Sequence, residues 1–383
     1  MITHSKRLNT VEEYYFSKKL REVSKMISSG KPVINMGIGS PDLYPSKNVI
    51  DEIKNSLSDQ NAHKYQSYQG LPEFRKSISK FYQNYFQVDL NSENEVLPLM
   101  GSKEGIMHIS LAFLNPGDEV LIPNPGYPTY FSVTNLVEAK PRFYDLNESN
   151  NWFPDLTELE KSDLSKVKLM WVNYPHMPTG ASVDVNQYEE LIEFAKRNSI
   201  LIVNDNPYSF ILNNDYLSIL KVNGSKDVAM ELNSLSKSFN MSGWRVGMLV
   251  GSDLNISRVL KIKSNMDSGM FYGIQKGAIS ALNLSDTWFE NLNEVYSKRR
   301  ELIWKIADKL NCSYDRNSKG LFVWAKLPGK NPCAESFIEN LLLEKNIFIA
   351  PGTIFGSNGE GYVRFSLCVD ESKIVESLKR IDL

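Results

Sequence analysis

Short apolar runs alternate with longer stretches of helical period through the middle of the chain. Val96-Leu97-Pro98-Leu99-Met100 reads as a strand. A helical stretch follows from Ser102 to Leu114, and Pro116-Gly117 ends it. Glu119–Pro123, Leu169–Asn173, Ile200–Asn204 and Ala229–Asn233 read as further strands, with Val185–Asn198 a helix between the second and third of these. Strand–helix alternation of this kind argues an α/β fold built on a mainly parallel sheet.

The two ends have a different texture. The first thirty residues are polar with interleaved aromatics, Tyr14, Tyr15 and Phe16. Leu20, Val23, Met26 and Ile27 then recur at helical spacing until Ser28-Ser29-Gly30 stops them. Val33–Met36 is a short strand, followed by the loop Gly37-Ile38-Gly39-Ser40-Pro41-Asp42. Beyond residue 286 a charged helix, Trp288–Leu310, precedes strand Gly320–Trp324 and helix Cys333–Lys345. Strands Ile347–Ile349 and Tyr362–Ser366 come next, and helix Glu371–Ile381 is last. The pattern predicts a large domain over 45–285 and a smaller α+β domain assembled from 1–44 and 286–383. No internal repeat is present.

Composition narrows the function. Lys+Arg 43 against Asp+Glu 45 gives a net charge of −2 over 383 residues. That leaves no basic excess for a phosphate backbone, so nucleic-acid binding by bulk charge is not expected. No run reaches the ~18 apolar residues that a membrane span needs. The start, Met1–Leu8, lacks the apolar segment of a secretory signal, and the cytoplasm is the expected compartment. Cys312, Cys333 and Cys368 are far apart, and His4, His63, His108 and His176 show no metal spacing. Neither a disulfide frame nor a metal site is expected. Gly37-Ile38-Gly39 is not a dinucleotide fingerprint, which counts against a nucleotide-dependent oxidoreductase.

In an open parallel sheet, ligands bind outside the carboxyl ends of the strands. The polar residues just after the expected strands are Ser102 with Lys103, Tyr127, Asn173, Asp205 with Tyr208, and Ser234 to Lys237. Ser102 opens a helix, whose free amides favour a phosphate or serve as an ordinary cap. Lys237 follows two serines, and Arg245 lies eight residues on. A lysine desolvated beside another cation loses its proton and becomes a nucleophile toward a carbonyl.

The stretch Ser234-Leu235-Ser236-Lys237 through Arg245-Val246-Gly247 resembles the Schiff-base signature of the class I/II (fold type I) pyridoxal-phosphate aminotransferases. Val33–Asp42, Tyr65–Arg75, Met100–Gly105, Pro125–Tyr130, Asn173–Gly180, Asp205–Tyr208 and Tyr362–Leu367 look like the family's other blocks, in family order. The wording is closest to the branch of LL-diaminopimelate and broad-specificity aminotransferases. The resemblance implies a homodimer with shared sites that moves an amino group from an L-amino acid to a 2-oxo acid, by a ping-pong route through pyridoxamine phosphate. Lys237 would hold pyridoxal 5′-phosphate covalently and shuttle a proton. Asp205 would keep the ring nitrogen protonated, Tyr208 would donate to the phenolic oxygen, and Tyr127 would stack on the ring. Ser102, Lys103, Ser234, Ser236 and Arg245 would hold the phosphate, with Tyr65 reaching it from the neighbouring subunit. Arg364 would take the substrate α-carboxylate, with Gly39 and Asn173 completing that site.

One position departs from the family. His176-Met177-Pro178-Thr179-Gly180 has Met177 where the family has an asparagine that donates to the phenolic oxygen. Tyr208 alone, or His176, is left for that bond. Asp267 falls near the position of the second arginine of dicarboxylate-specific members, so it reads either as a partner for a distal amine or as a helix cap. The competing functions are a carbon–sulfur lyase on the same fold and a non-catalytic ligand-binding regulator.

Overall fold

The computed structural model describes residues 2–13 and 15–382; Met1, Tyr14 and Leu383 lie outside the described residues. In chain order the strands are β1 (Ile34–Asn35), β2 (Val96–Leu99), β3 (Glu119–Asn124), β4 (Lys140–Asp145), β5 (Val167–Val172), β6 (Leu201–Asp205) and β7 (Ala229–Ser234). They continue as β8 (Gly247–Gly251), β9 (Ser313–Tyr314), β10 (Phe322–Lys326), β11 (Ile347–Phe348), β12 (Ala350–Pro351) and β13 (Tyr362–Ser366).

Seven strands form one sheet in the order β2-β8-β7-β6-β5-β3-β4. Strand β8 runs antiparallel to both neighbours, and all other pairs are parallel. The expected mainly parallel α/β sheet is therefore present. Its strands are apolar along their length because both faces are covered. On one face Leu169 and Trp171 of β5 share a core with Ile106, Ile109 and Val259. On the other, Met170 and Val172 share a core with Phe74, Tyr188 and Leu191. Each such fully buried side chain contributes about 1.5–3 kcal/mol.

Local chemistry sets the ends of the flanking helices. Helix Val185–Asn198 starts at a reciprocal cap: Asp184 accepts from the Gln187 amide at 2.9 Å, and Gln187 accepts from the Asp184 amide at 3.1 Å. It stops where Ser199 turns left-handed, φ 54°.

The remaining strands make a four-stranded sheet, β12-β13-β10-β9, and the parallel pair β1-β11. Their core joins Val23, Ile34 and Met36 to Tyr296, Phe322, Ile347 and Phe365, so residues from both ends of the chain pack together. Two strands of the large sheet were not apparent in the hydrophobic pattern. Strand β4, Lys140-Pro141-Arg142-Phe143-Tyr144-Asp145, is an edge strand, where polar residues interrupt the apolar run. Strand β8, Gly247-Met248-Leu249-Val250-Gly251, is bracketed by glycines that weaken the strand signal. Among the described residues, no helix is long and apolar enough to cross a membrane.

Candidate active site

The parallel strands deliver their last residues to one end of the sheet. Asp205 ends β6 and Ser234 ends β7, while Ser102, Tyr127 and Asn173 follow β2, β3 and β5. They meet in a cavity of about 390 Å³ lined by Ser102, Lys103, Tyr127, Asn173, Asp205, Tyr208, Ser234, Ser236, Lys237 and Arg245. Ten of the residues singled out in the sequence thus lie around one space, as the strand-end rule requires.

One wall is a cationic cup. Helix Ser102–Phe113 begins after Gly101, φ 92°, and no side chain caps its first amides. A Cβ on Gly101 would sit 2.2 Å from Arg245 Nη2, so a side chain there would displace the guanidinium, and the positive φ itself favours glycine. Arg245 is itself left-handed, φ 56°, and Nη1 donates to Ser242 O at 2.9 Å. Ser234 Oγ accepts from the Ser236 amide at 3.1 Å and donates to Ser236 Oγ at 2.9 Å. That cap shapes the short helix Leu235–Ser238, which carries Lys237. Burial lowers the pKa of Lys103, and Arg245 beside it lowers it further. Open helix amides, three hydroxyls and two cations are the donor chemistry of a phosphate site.

Opposite the cup, Asp205 is deeply buried. Tyr130 Oη donates to its Oδ2 at 2.9 Å, while Oδ1 has no hydrogen-bond partner among the described residues. Burial pushes the carboxyl up to about 7, against the lowering effect of the Tyr130 bond. Lys237 Nζ donates to Gly39 O at 2.5 Å. Burial lowers its pKa and the Arg364 and Arg245 cations lower it too, while Cys368 and Asp205 act in the other direction. The amine therefore gives up its proton more readily here than in water.

A second cavity, about 510 Å³, opens from the first and shares Lys237, Tyr127, Met177 and Tyr208 with it. Arg364 of β13 lines it, and Arg364 Nη2 donates to Gly37 O at 2.8 Å and Nη1 to Met177 Sδ at 3.3 Å. The guanidinium lies 3.8 Å from the Phe322 ring centre, 4.6 Å from Phe355 and 5.4 Å from Phe16. Gly39 shares this cavity, where a Cβ would strike the Phe322 ring at 2.3 Å. Asn173 does not share it. Asn173 Nδ2 donates to Asp205 O and Oδ1 accepts from the Met177 amide at 2.7 Å, so its polar ends brace the first cavity. Tyr65 lines neither cavity and is 91% exposed.

His176 is buried, with Nδ1 at 2.8 Å from Thr179 Oγ1, and burial pushes it down to about 3; it lines neither cavity. Asp267 accepts from Lys263 Nζ at 2.7 and 2.8 Å and from the Gly269 amide at 2.8 Å. It anchors a turn and the fully buried Lys263. Glu104, His108 and Asp267 do lie together, a grouping the sequence spacing did not show. Glu104 accepts from the Met100 amide at 2.6 Å and sits 3.0 Å from His108, so both carboxylates already have partners.

Four contributors to the site were not legible in the sequence. Tyr130 lies one helical turn beyond Tyr127, a spacing that could have marked it as a second tyrosine on the same face. The Met177 sulfur on Arg364, and Phe16 with Phe355 flanking it, join segments far apart in the chain and left no local signal.

The donor set fits a phosphorylated aromatic ring with a protonatable nitrogen. The cup suits the phosphate, Asp205 Oδ1 lacks the N–H partner such a ring offers, and Lys237 supplies a desolvated amine.

A family model described as "Aminotransferase class I and II" matches residues 31–381. The chain is 39% identical over 383 residues to the LL-diaminopimelate aminotransferase of Aquifex aeolicus, covering 100% of this chain and 99% of that one. Among solved structures, substrate-bound BacF from Bacillus subtilis superposes with a TM-score of 0.95 at 31% identity, covering 100% of this chain and 97% of that one. An aminotransferase from Staphylococcus aureus superposes with a TM-score of 0.90 at 34% identity, covering 98% of each chain.

Proposed function

The chain belongs to the class I and II aminotransferases, enzymes of pyridoxal-phosphate-dependent amino-group transfer, and on that premise we propose how its own residues carry out the reaction. The observation that carries the assignment is the pairing of Lys237 with Asp205 on one cavity, the second with a buried, unpartnered oxygen. Bound there, the coenzyme supplies a ring that takes up the electron pair left at the substrate Cα.

Lys237 Nζ, its pKa lowered by desolvation, would be the group that holds the coenzyme and, with substrate bound, the group that moves the Cα proton. Asp205 Oδ1 accepts from the ring nitrogen and keeps its proton in place. Ser102, Lys103, Ser234, Ser236 and Arg245 hold the phosphate, and Tyr127 covers a ring face. Tyr208 donates to the phenolic oxygen without help, because Met177 has no donor and His176 is turned to Thr179. Arg364 takes the substrate carboxylate in a cavity that excludes water from most of the guanidinium, with Gly39 beside it and Asn173 bracing the strand ends.

We further propose a homodimer in the cytoplasm, with Tyr65 completing the phosphate site of the partner subunit. Tyr65, Tyr68, Met266 and Phe271 are exposed around one turn, where Gly269 backs onto Gln66 so closely that a Cβ would lie 2.5 Å from Gln66 O. Free thiols at Cys312, Cys333 and Cys368 support a reducing compartment.

Borohydride reduction of the holoenzyme, followed by peptide mass spectrometry, should leave a pyridoxyl group on Lys237, and none in Lys237→Ala. Incubation with an L-amino acid and 2-oxoglutarate or pyruvate should yield a new amino acid. Ammonia release without one would mark a lyase instead.

A further inference from the structure

The outer walls of the cavity beside Lys237 are mostly apolar. Arg364 lines it, with its guanidinium against aromatic rings; Tyr127, Met177 and Tyr208 stand on the side shared with the first cavity, and the large side chains of the rest are Phe16, Leu20, Ile38, Phe322 and Phe355. No Asp or Glu lines it among the described residues, and its basic side chains are Lys237 and Arg364. Both are committed, one to the reacting nitrogen and the other to the α-carboxylate. Its serines are weak partners for a charge. Ser17 donates to Glu13 Oε1 at 2.8 Å and accepts from Arg21 Nη1 at 3.1 Å, while Ser40 lies 3.4 Å from Ser242. Asp267, the acidic residue that the sequence offered for a distal amine, is held by Lys263 and the Gly269 amide, and Glu13 behind Ser17 is paired with Arg21.

We propose that this cavity selects an amino donor with a large apolar side chain, aromatic or branched aliphatic, and disfavours donors that carry a second charged group. The inference rests on the aminotransferase reading above and departs from the substrate that the Aquifex relative's name implies. Its physical basis is desolvation. A distal ammonium or carboxylate entering beside Phe16, Leu20 and Ile38 loses its hydration and meets, behind Ser17, only Glu13 and Arg21, which already satisfy each other, whereas a phenyl or isobutyl group gains by leaving water. Leu20 and Phe16 come from the helix Tyr15–Ser28, so the outer wall is supplied by the N-terminal segment.

The test is a donor series on the holoenzyme, with single-turnover spectra and kcat/KM for phenylalanine, leucine, methionine, alanine, aspartate, glutamate and LL-diaminopimelate. Phenylalanine and leucine are expected to exceed aspartate and LL-diaminopimelate by about a hundredfold or more. Leu20→Ala is expected to lower kcat/KM for phenylalanine about tenfold more than for alanine, a ratio that partial misfolding would leave unchanged. Equal or faster turnover of LL-diaminopimelate or aspartate would overturn the proposal and leave the aminotransferase reading intact. No spectral change with any donor would overturn the aminotransferase reading itself. An unchanged phenylalanine-to-alanine ratio in Leu20→Ala would show that this wall does not contact the side chain, and would also overturn the proposal.

Discussion

Replacing Asp205 by asparagine separates the cost of burying this carboxyl from its use. The residue is 5% exposed, Oδ1 has no partner among the described residues, and burial lifts its pKa from 3.8 to about 7. In coenzyme-free protein the folded state keeps the proton between roughly pH 4 and 7, while the unfolded chain releases it. Ionisation then favours unfolding, so stability falls as pH rises through that window. Below the window both states are protonated, and above it both are ionised, so the slope disappears. About three pKa units at about 1.4 kcal/mol each set the loss at about 4 kcal/mol. An asparagine has the same shape, still accepts from Tyr130 and does not titrate. Urea unfolding of coenzyme-free wild type and Asp205→Asn at pH 4, 6 and 8 measures the difference. The variant should gain about 4 kcal/mol relative to wild type from the lowest pH to the highest. Parallel stability curves would refute the argument that Asp205 is held protonated by burial. With coenzyme present the order reverses in function: the asparagine variant should transfer amino groups about a hundredfold more slowly or worse, since a neutral amide does not hold a charge on the ring.

Two further substitutions test neighbouring features. Asp267→Asn leaves the fully buried Lys263 ammonium without its carboxylate and should destabilise the protein by about 3–5 kcal/mol, read by thermal unfolding, without altering donor preference. Gly101→Ala places a methyl 2.2 Å from Arg245 Nη2 on a backbone at φ 92°, so coenzyme affinity by fluorescence titration should fall about tenfold or more, with about 1 kcal/mol lost in stability.

The fold was legible wherever one strand or helix states its own pattern. Strands such as β3 and β6 are apolar and short, and Val185–Asn198 carries its cap in the residues Asp184 and Gln187. Helices such as Tyr272–Leu282 were not apparent, because contact with neighbouring elements on several sides blurs their apolar stripe. The site divides similarly. Residues such as Lys237, Asp205 and Ser102 are legible because a strand end precedes each of them. The placement of Arg364 against Phe16, Phe322, Phe355 and Met177 joins four distant segments, and no local spacing encodes it.

The sheet order has a consequence for how the chain is made. Strand β2, which positions Ser102 and Lys103, has β8 as its partner in the sheet, and β8 is translated roughly 150 residues later. At about 5–20 residues per second, β2 waits of the order of ten seconds or more on the ribosome with an unpaired edge. The parallel strands between them can assemble outward in the meantime. Until β8 is made, β2 lacks the strand that joins it to β7, and Arg245, two residues before β8, is not yet available to Gly101. A nascent chain thus completes the binding cup only when its central sheet is finished.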